Sequence, residues 1–149
     1  MSEETKEYLS KTEYEEIGEM LLELIAECPY TPKDTPIKYQ SKDVGRCIYL
    51  FTTGGEVKKR NVLGGFTAEL NIQVAYRNFP QSNEQMLDAQ LTVDKITGWM
   101  EELENLPGLT DNRIITKITA SESFPVVEEV DGEKTTVFTA NVVMEYEVE

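Results

Sequence analysis

One strand and the helix after it, between Phe66 and Leu106, constrain the fold more than any other part of the sequence. In FTAELNIQVAYR, residues 66–77, apolar side chains alternate with polar ones, the period of a strand with one face on a core. After a break at residues 79–81, Ser82 and Gln85 have the spacing of a capping box and predict a helix start. The apolar residues that follow recur at helical spacing: Met86, Ala89, Val93, Ile96, Met100 and Leu103. The stretch therefore predicts a strand followed by a helix that lies back across the sheet.

A first amphipathic helix is predicted from Thr12 to Glu27 and ends before Pro29. Its acidic side chains are expected to face away from the core: Glu13, Glu15, Glu16, Glu19 and Glu23. Its apolar stripe is Tyr14, Ile17, Leu21, Leu24, Ile25 and Cys28. The segment from Pro29 to Gly45 predicts a surface connection with a short extended piece at residues 37–40.

Two glycine pairs suggest a hairpin. The apolar run from Arg46 to Thr53 predicts a strand covered on both faces or at the centre of the sheet. Gly54 and Gly55 follow it, and a polar tip, EVKKRN, separates them from Gly64 and Gly65. Because glycines give a backbone flexible shoulders, we expect a protruding β-hairpin arm with Lys58, Lys59 and Arg60 at its tip.

Three further strands are predicted after the central helix and a sharp turn at residues 107–112. They span residues 113–120, 126–130 and 136–148, with Ile114, Thr116, Ile118 and Ala120 sharing one face of the first. A two-residue turn at Asp131-Gly132 would mismatch the apolar faces of these strands. We therefore expect a three-residue loop with a left-handed Gly132, or a bulge near Pro125, and the pairs Phe124–Phe138, Ala120–Val142 and Ile118–Met144.

These elements predict an α+β fold for a single domain spanning residues 1–149. We expect a mostly antiparallel β-sheet with two main helices packed on one face and the β-hairpin arm protruding from it.

Charge and composition exclude several classes of function. The net charge of −14 disfavours adhesion to DNA and to anionic lipid, because the field of the protein repels both. The chain has no histidine, which removes the usual general base and the usual zinc ligand. We expect no enzyme activity, no cofactor, no metal site and no membrane span. Cys28 and Cys47, without a leader peptide, predict buried, reduced thiols in a cytosolic compartment.

No motif predicts catalysis. GGEVKKRNVLGG has glycines and lysines, but it lacks the sequence of a phosphate-binding loop and no helix start follows it. Trp99 lies close to the apolar stripe of the central helix, so it is a core or interface anchor rather than a ligand platform. Two acidic clusters match no calcium-loop spacing and are expected to be solvated: Glu101, Glu102 and Glu104, and Glu128, Glu129 and Asp131.

The basic residues offer two interpretations. Lys58, Lys59 and Arg60 either prevent edge pairing of a solvated hairpin or contact an acidic surface on a neighbouring copy. Arg77, at the end of the alternating strand, is either a surface residue or a salt-bridge donor between subunits. These four residues are the candidate subunit interface.

Three segments carry a resemblance to a known family: LNIQVAYRN, then MLDAQLTVDKITGWMEEL, then ITKITASESFPVVEEVDGEKTTVFTANVVMEYE. From about Met20 to Val148 the chain resembles the tail terminator, or minor capsid, proteins of siphophages and prophages of Gram-positive bacteria. The resemblance implies an α+β fold and a ring, usually of six subunits, on the tail tube. Such a ring stops tube growth and provides the surface to which the filled head attaches.

The resemblance implies partners and a location. The tail tube protein, the head completion protein and further copies of the chain are the expected partners, while DNA passes through the ring without specific binding. The expected location is the virion, after assembly in the host cytoplasm. A small-molecule-binding or regulatory α+β domain, with a pocket between sheet and helix, is the alternative.

Overall fold

A computed structural model describes residues 7–33, 35–39, 45–103 and 113–149, and of Val130 the backbone only. Two helices, α1 (Lys11–Ala26) and α2 (Asn83–Glu101), accompany seven strands. The strands are β1 (Glu7–Tyr8), β2 (Ile37–Tyr39), β3 (Cys47–Arg60), β4 (Phe66–Arg77), β5 (Arg113–Ala120), β6 (Phe124–Val130) and β7 (Glu133–Val148). The predictions for Gln40, Glu104 and the turn at 107–112 lie outside the described residues.

All seven strands belong to one sheet with the order β1-β3-β4-β7-β5. Strand β4 lies at its centre and pairs antiparallel with β3 on one side and β7 on the other. Strand β2 also lies on the outer edge of β3, and it is parallel to it. Strands β5 and β6 follow each other along the outer edge of β7. The predicted α+β fold with a mostly antiparallel sheet is confirmed.

Both helices pack on the same face of this sheet. The even-numbered residues of β4 from Ala68 to Tyr76 are buried, and they form one core with the apolar stripes of the helices. The helical part of that core comprises Ile17, Leu21, Ile25, Ala89, Val93, Ile96 and Met100. Burying each of the larger side chains contributes roughly 1.5–3 kcal/mol, which makes this layer the main source of stability.

A serine caps the start of each helix, and the cap predicted at Ser82 is confirmed. Ser10 caps α1 and Ser82 caps α2; each hydroxyl oxygen accepts a hydrogen bond from the backbone N–H three residues on, at 3.1 Å. Gln85 does not close the capping box on Ser82. Its side-chain oxygen instead accepts from the N–H of Gln81 at 2.7 Å.

The hairpin is confirmed, but the extent predicted for its tip is wrong. Strand β3 continues through both glycines to Arg60 and stays paired with β4, so Glu56–Arg60 lie in the strand. The turn comprises residues 61–65 only. Phe66, directly after the turn, faces Val148 of β7, so the sheet accompanies the hairpin up to its turn.

The C-terminal strands correct two predictions. A bulge between Ile115 and Lys117 shifts β5, so Arg113, Ile115 and Ile118 are buried whereas Ile114 is exposed. The predicted three-residue loop is also wrong, because Asp131 and Gly132 form a two-residue turn between Val130 and Glu133.

The expected register shift lies not at the turn but close to the alternative position, near Pro125. It occurs in the break at residues 121–123, between β5 and β6. Ala120–Val142 and Ile118–Met144 therefore pair as predicted, while Phe124 faces Thr139 rather than Phe138. The left-handed conformation of Gly132 is confirmed by its φ of 82°.

Candidate interaction surfaces

A buried ion pair joins α1 to the far edge of the sheet. The Arg113 guanidinium donates from Nε and Nη2 to the two carboxylate oxygens of Glu13, at 2.7 and 2.8 Å. Glu16 accepts a further bond from it, and Tyr146 donates its hydroxyl to Glu13 at 3.3 Å. Burial, and then the charge of Glu13, raises the pKa of Tyr146. The prediction that Glu13 turns away from the core is wrong, because burying the guanidinium requires a carboxylate beside it.

Arg77 is held inside the subunit. Only 6% of it is exposed, and its Nη2 donates to Glu128 of the β6–β7 hairpin. Its guanidinium carbon lies 5.0 Å from the centre of the Tyr49 ring. Tyr49 in turn donates its hydroxyl to Glu128 at 2.8 Å, and burial raises the pKa of Tyr49. Neither role predicted for Arg77 describes this contact, and the prediction that Glu128 is simply solvated is wrong.

This network bends the β6–β7 hairpin over the face of the sheet opposite the helices. Tyr49 and Glu128 belong to strands separated by β4 and β7, yet their side chains meet. At this end of the face Ala75 of β4 is buried, together with Val137 and Thr139 of the hairpin itself. That end of the face is therefore closed.

Among the described residues, no element covers the other end of the same face, which is rich in carboxylates. Glu56, Glu69 and Glu145 form a row across β3, β4 and β7, and Lys117 of β5 follows them. Further along, the side-chain amide of Gln73 donates to that of Asn141 at 2.9 Å. We call this uncovered, polar region the open face.

The three predicted interface cations lie at the end of β3, near the open face. Lys58 pairs with Glu56 and approaches Glu69 to 4.0 Å. Arg60 donates from Nε to both oxygens of Glu7 at 2.8 Å, and its guanidinium carbon lies 5.3 Å from the centre of the Phe66 ring. Lys59 is exposed. Two of the three cations thus have carboxylate partners within the chain, so the hairpin end is less basic than the sequence indicates.

The hairpin turn itself presents two aliphatic side chains that sequence reasoning missed. Val62 and Leu63 are 101% and 92% exposed. The segment NVLGG contained the signal, since two large aliphatics in a turn have no core to join.

A second exposed pair lies on α2. Leu87 and Leu91 are one turn apart and are 58% and 52% exposed. The exposure of this pair can also be predicted from the sequence, because both leucines fall outside the apolar stripe of that helix.

A half-open cavity of about 470 Å³ lies where β4 leads into α2. Its lining is mostly polar: Arg46, Tyr76, Asn78, Phe79, Gln81, Gln85, Asp88 and Thr92. Arg46 donates to the Tyr76 hydroxyl at 3.0 Å within it. This cavity lies beside the helix start, not between the sheet and the helices, where the alternative function had placed a pocket.

The remaining candidate residues, Trp99 and the two cysteines, belong to the packed interior. Trp99 packs against the core, and Cys28 and Cys47 are buried and not joined by a disulfide. Within the described ranges, no three metal-ligating side chains gather into a site. No helix in the part of the chain that the structure describes is both long and apolar enough to span a membrane.

A comparison of the sequence with models of known protein families finds no match, and a comparison with curated proteins finds no significant similarity.

Proposed function

We propose that this chain is a non-enzymatic virion assembly protein, a tail terminator or minor capsid protein. In this proposal several copies, six in the virion, form a ring at the head-proximal end of a phage tail tube. The ring contacts the tail tube protein on one side and the head completion protein on the other. Assembly takes place in the host cytoplasm without a membrane.

The open face is the observation that carries this proposal. A channel that conducts DNA must not retain it, and basic linings bind DNA by releasing its counterions. The row across the open face holds three carboxylates against two lysines, Lys58 and Lys117, so its own balance is still negative and it offers no basic lining that would retain the phosphate backbone. The net charge of −14 acts in the same direction.

The exposed apolar pairs support assembly over catalysis. Large aliphatic side chains exposed together on a folded domain are typical of protein contacts. The hairpin turn and the outer side of α2 each present one such pair. Lys58, Lys59 and Arg60 remain candidate interface residues in this proposal, while Arg77 is left out because it binds within its own subunit.

The decisive experiment removes the gene from the phage or prophage that carries it and examines the particles by electron microscopy. We expect filled heads without tails, together with tail tubes of irregular length. Supplying the wild-type chain from a plasmid should restore whole virions. Normal virions without any copy of the chain would contradict the proposal.

The cavity beside α2 supports the second candidate, a small-molecule-binding domain. Its volume lies within the range of ligand pockets, although such pockets are usually lined mainly by apolar groups. A thermal-shift screen with small anionic metabolites tests it, with Arg46→Ala as the matched variant. A shift that the variant abolishes would favour ligand binding.

A further inference from the structure

The half-open cavity at the start of α2 has two walls of different origin. The helix wall is a single stripe of residues three or four positions apart: Gln85, Asp88 and Thr92. The strand wall comprises Arg46, just before β3, and Tyr76 of β4. Residues 78 and 79, which connect β4 to α2, join the two walls. We call this space the junction cavity.

The strand wall offers hydrogen-bond donors. Arg46 donates from Nη2 to the Tyr76 hydroxyl at 3.0 Å, which holds its guanidinium at the cavity. Among the described residues, the proton of the Tyr76 hydroxyl has no acceptor of its own. A guanidinium and a phenol O–H that line one space match a carboxylate, which accepts from both. Because Arg46 is already held, binding such a group costs less conformational entropy.

The helix wall offers a carboxylate. Asp88 is exposed, and in the part of the chain that the structure describes its carboxylate has no hydrogen-bond or ion-pair partner. Glu84, one turn earlier, adds a second negative charge, whereas Lys95 lies seven positions further on, or about 10 Å along the helix axis. Neither Glu84 nor Lys95 lines the cavity. This wall is therefore suited to an ammonium group.

The two charges in the lining do not neutralise each other. Arg46 and Asp88 are the only charged residues that line the cavity within the described ranges, and they form no ion pair with each other. A ligand with one charge would meet one attractive and one repulsive side chain. A ligand that carries both signs can place each charge beside its opposite.

Two unfavourable features lie where the walls join. Phe79 has a φ of 50°, a left-handed conformation that is rare for a bulky residue. The side-chain oxygen of Asn78 is buried and has no hydrogen-bond partner among the residues described. Since that oxygen is out of reach of solvent, it shows the cost of this backbone path and is not itself a ligand contact. Costly local conformations of this kind are concentrated at binding sites.

We infer that the junction cavity binds a small zwitterion, such as a free amino acid or a dipeptide. The ligand carboxylate accepts from Arg46 and Tyr76, its ammonium donates to Asp88, and its remaining atoms pack beside Phe79. The volume of about 470 Å³ is sufficient for such a ligand. This binding rests on the second candidate function and names the class of its ligand. It does not depend on the ring.

Titrations followed by NMR chemical shifts test the ligand class. Alanine and alanylalanine are the zwitterionic probes, and at least one of them should shift the resonances of the residues that line the cavity. The N-acetyl derivative of that probe lacks the ammonium group, and its amide lacks the carboxylate. Each derivative should bind at least about tenfold more weakly than the zwitterion, because each loses one charge-assisted hydrogen bond.

Variants should match each ligand group to its residue. Arg46→Gln should weaken the zwitterion about tenfold and leave the affinity for the amide unchanged, since the amide has no carboxylate to lose. Asp88→Asn should likewise weaken the zwitterion and leave the N-acetyl derivative unchanged. Lys95→Gln and Glu84→Gln are the matched controls, because they remove the same charges at exposed positions outside the cavity. Both should bind the zwitterion like the wild type.

Zwitterion binding is refuted if neither probe shifts these resonances at the highest concentration tested. It is also refuted if the N-acetyl derivative binds as tightly as its parent, or if Glu84→Gln weakens binding as much as Asp88→Asn does. A plain anionic metabolite that binds through Arg46 would remove the zwitterion and leave the second candidate function standing. If neither the zwitterions nor any screened metabolite binds, both are removed.

Discussion

Glu13 and Glu16 of α1 bind the same guanidinium, but water reaches only one of them. The side chains of Arg113 and Glu13 are 7% and 12% exposed, whereas that of Glu16 is 52% exposed. Water therefore screens the pair with Glu16 more strongly than the pair with Glu13. We therefore expect the pair with Glu13 to contribute more to the free energy of unfolding than the pair with Glu16.

Glu13→Gln should lower the free energy of unfolding by about 2 kcal/mol, because Arg113 loses the charged partner that is less exposed and keeps only Glu16. Glu16→Gln, the same change at an exposed position, should cost less than about 1 kcal/mol. Urea unfolding at pH 7 measures both. Equal losses for the two variants would show that burial does not set the strength of these pairs.

One buried tyrosine, Tyr146, and one partly buried tyrosine, Tyr49, predict a loss of stability in alkali. Burial and the carboxylates of Glu13 and Glu128 raise the pKa values of Tyr146 and Tyr49 above the ordinary 10.0. The folded state then keeps phenol protons that the unfolded state releases. The stabilisation is therefore complete below pH 10 and is lost as the pH rises above it, by about 1.4 kcal/mol per pH unit for each tyrosine.

Tyr146→Phe should make the free energy of unfolding fall less steeply with rising pH, by about 1.4 kcal/mol per pH unit, which is the contribution of one tyrosine. Urea unfolding between pH 9 and pH 11 is the measurement, with Tyr30→Phe, at an exposed ring, as the control. An unchanged slope for Tyr146→Phe would contradict the prediction, even if the variant is less stable at every pH.

At the scale of the elements, two glycines show how backbone conformation decides the effect of one substitution. Gly132 closes the β6–β7 hairpin with φ of 82°, next to Asp131 with φ of 51°. Turns of this kind need two left-handed residues, which suits a right-twisted hairpin. Gly98 lies inside α2, where a methyl group at its Cα would meet nothing within 4 Å.

Gly132→Ala should destabilise the protein by about 1–2 kcal/mol, because alanine resists the left-handed conformation. Gly98→Ala should stabilise it by about 0.5–1 kcal/mol, because alanine is the better helix former. Thermal and urea unfolding of both variants give the comparison. The two changes have opposite expected signs, so a shared sign would refute the argument.

At the scale of the whole molecule, charge opposes the association that the apolar patches favour. Every copy carries a net charge of −14, so two copies repel each other beyond the contact itself. Salt shortens the range of this repulsion and leaves the burial of aliphatic surface largely intact.

Raising the salt concentration from about 0.01 M to about 0.15 M should therefore increase the average oligomer mass, since the Debye length falls from roughly 30 Å to roughly 8 Å. Light scattering at constant protein concentration measures the effect. A mass that decreases with salt would show that ion pairs between copies outweigh the general repulsion.

Several elements can be predicted from the sequence because their signals are local. The bounds of β4 follow from alternation alone, the start of α2 from Ser82, and the left-handed Gly132 from a turn dipeptide. Each of these features depends on residues within a few positions of one another, so a one-dimensional pattern is enough to predict it.

Contacts between distant side chains, and the exposure of others, depend on the folded path of the chain. Arg113 and Glu13 are 100 residues apart, and Arg77 and Glu128 are 51 apart, so no local period could pair them. Likewise, the sequence places Leu63 in a turn and Leu91 outside an apolar stripe, but their exposed fractions of 92% and 52% follow from the folded path. Burial is a property of everything that surrounds a side chain, and the folded path alone sets those surroundings.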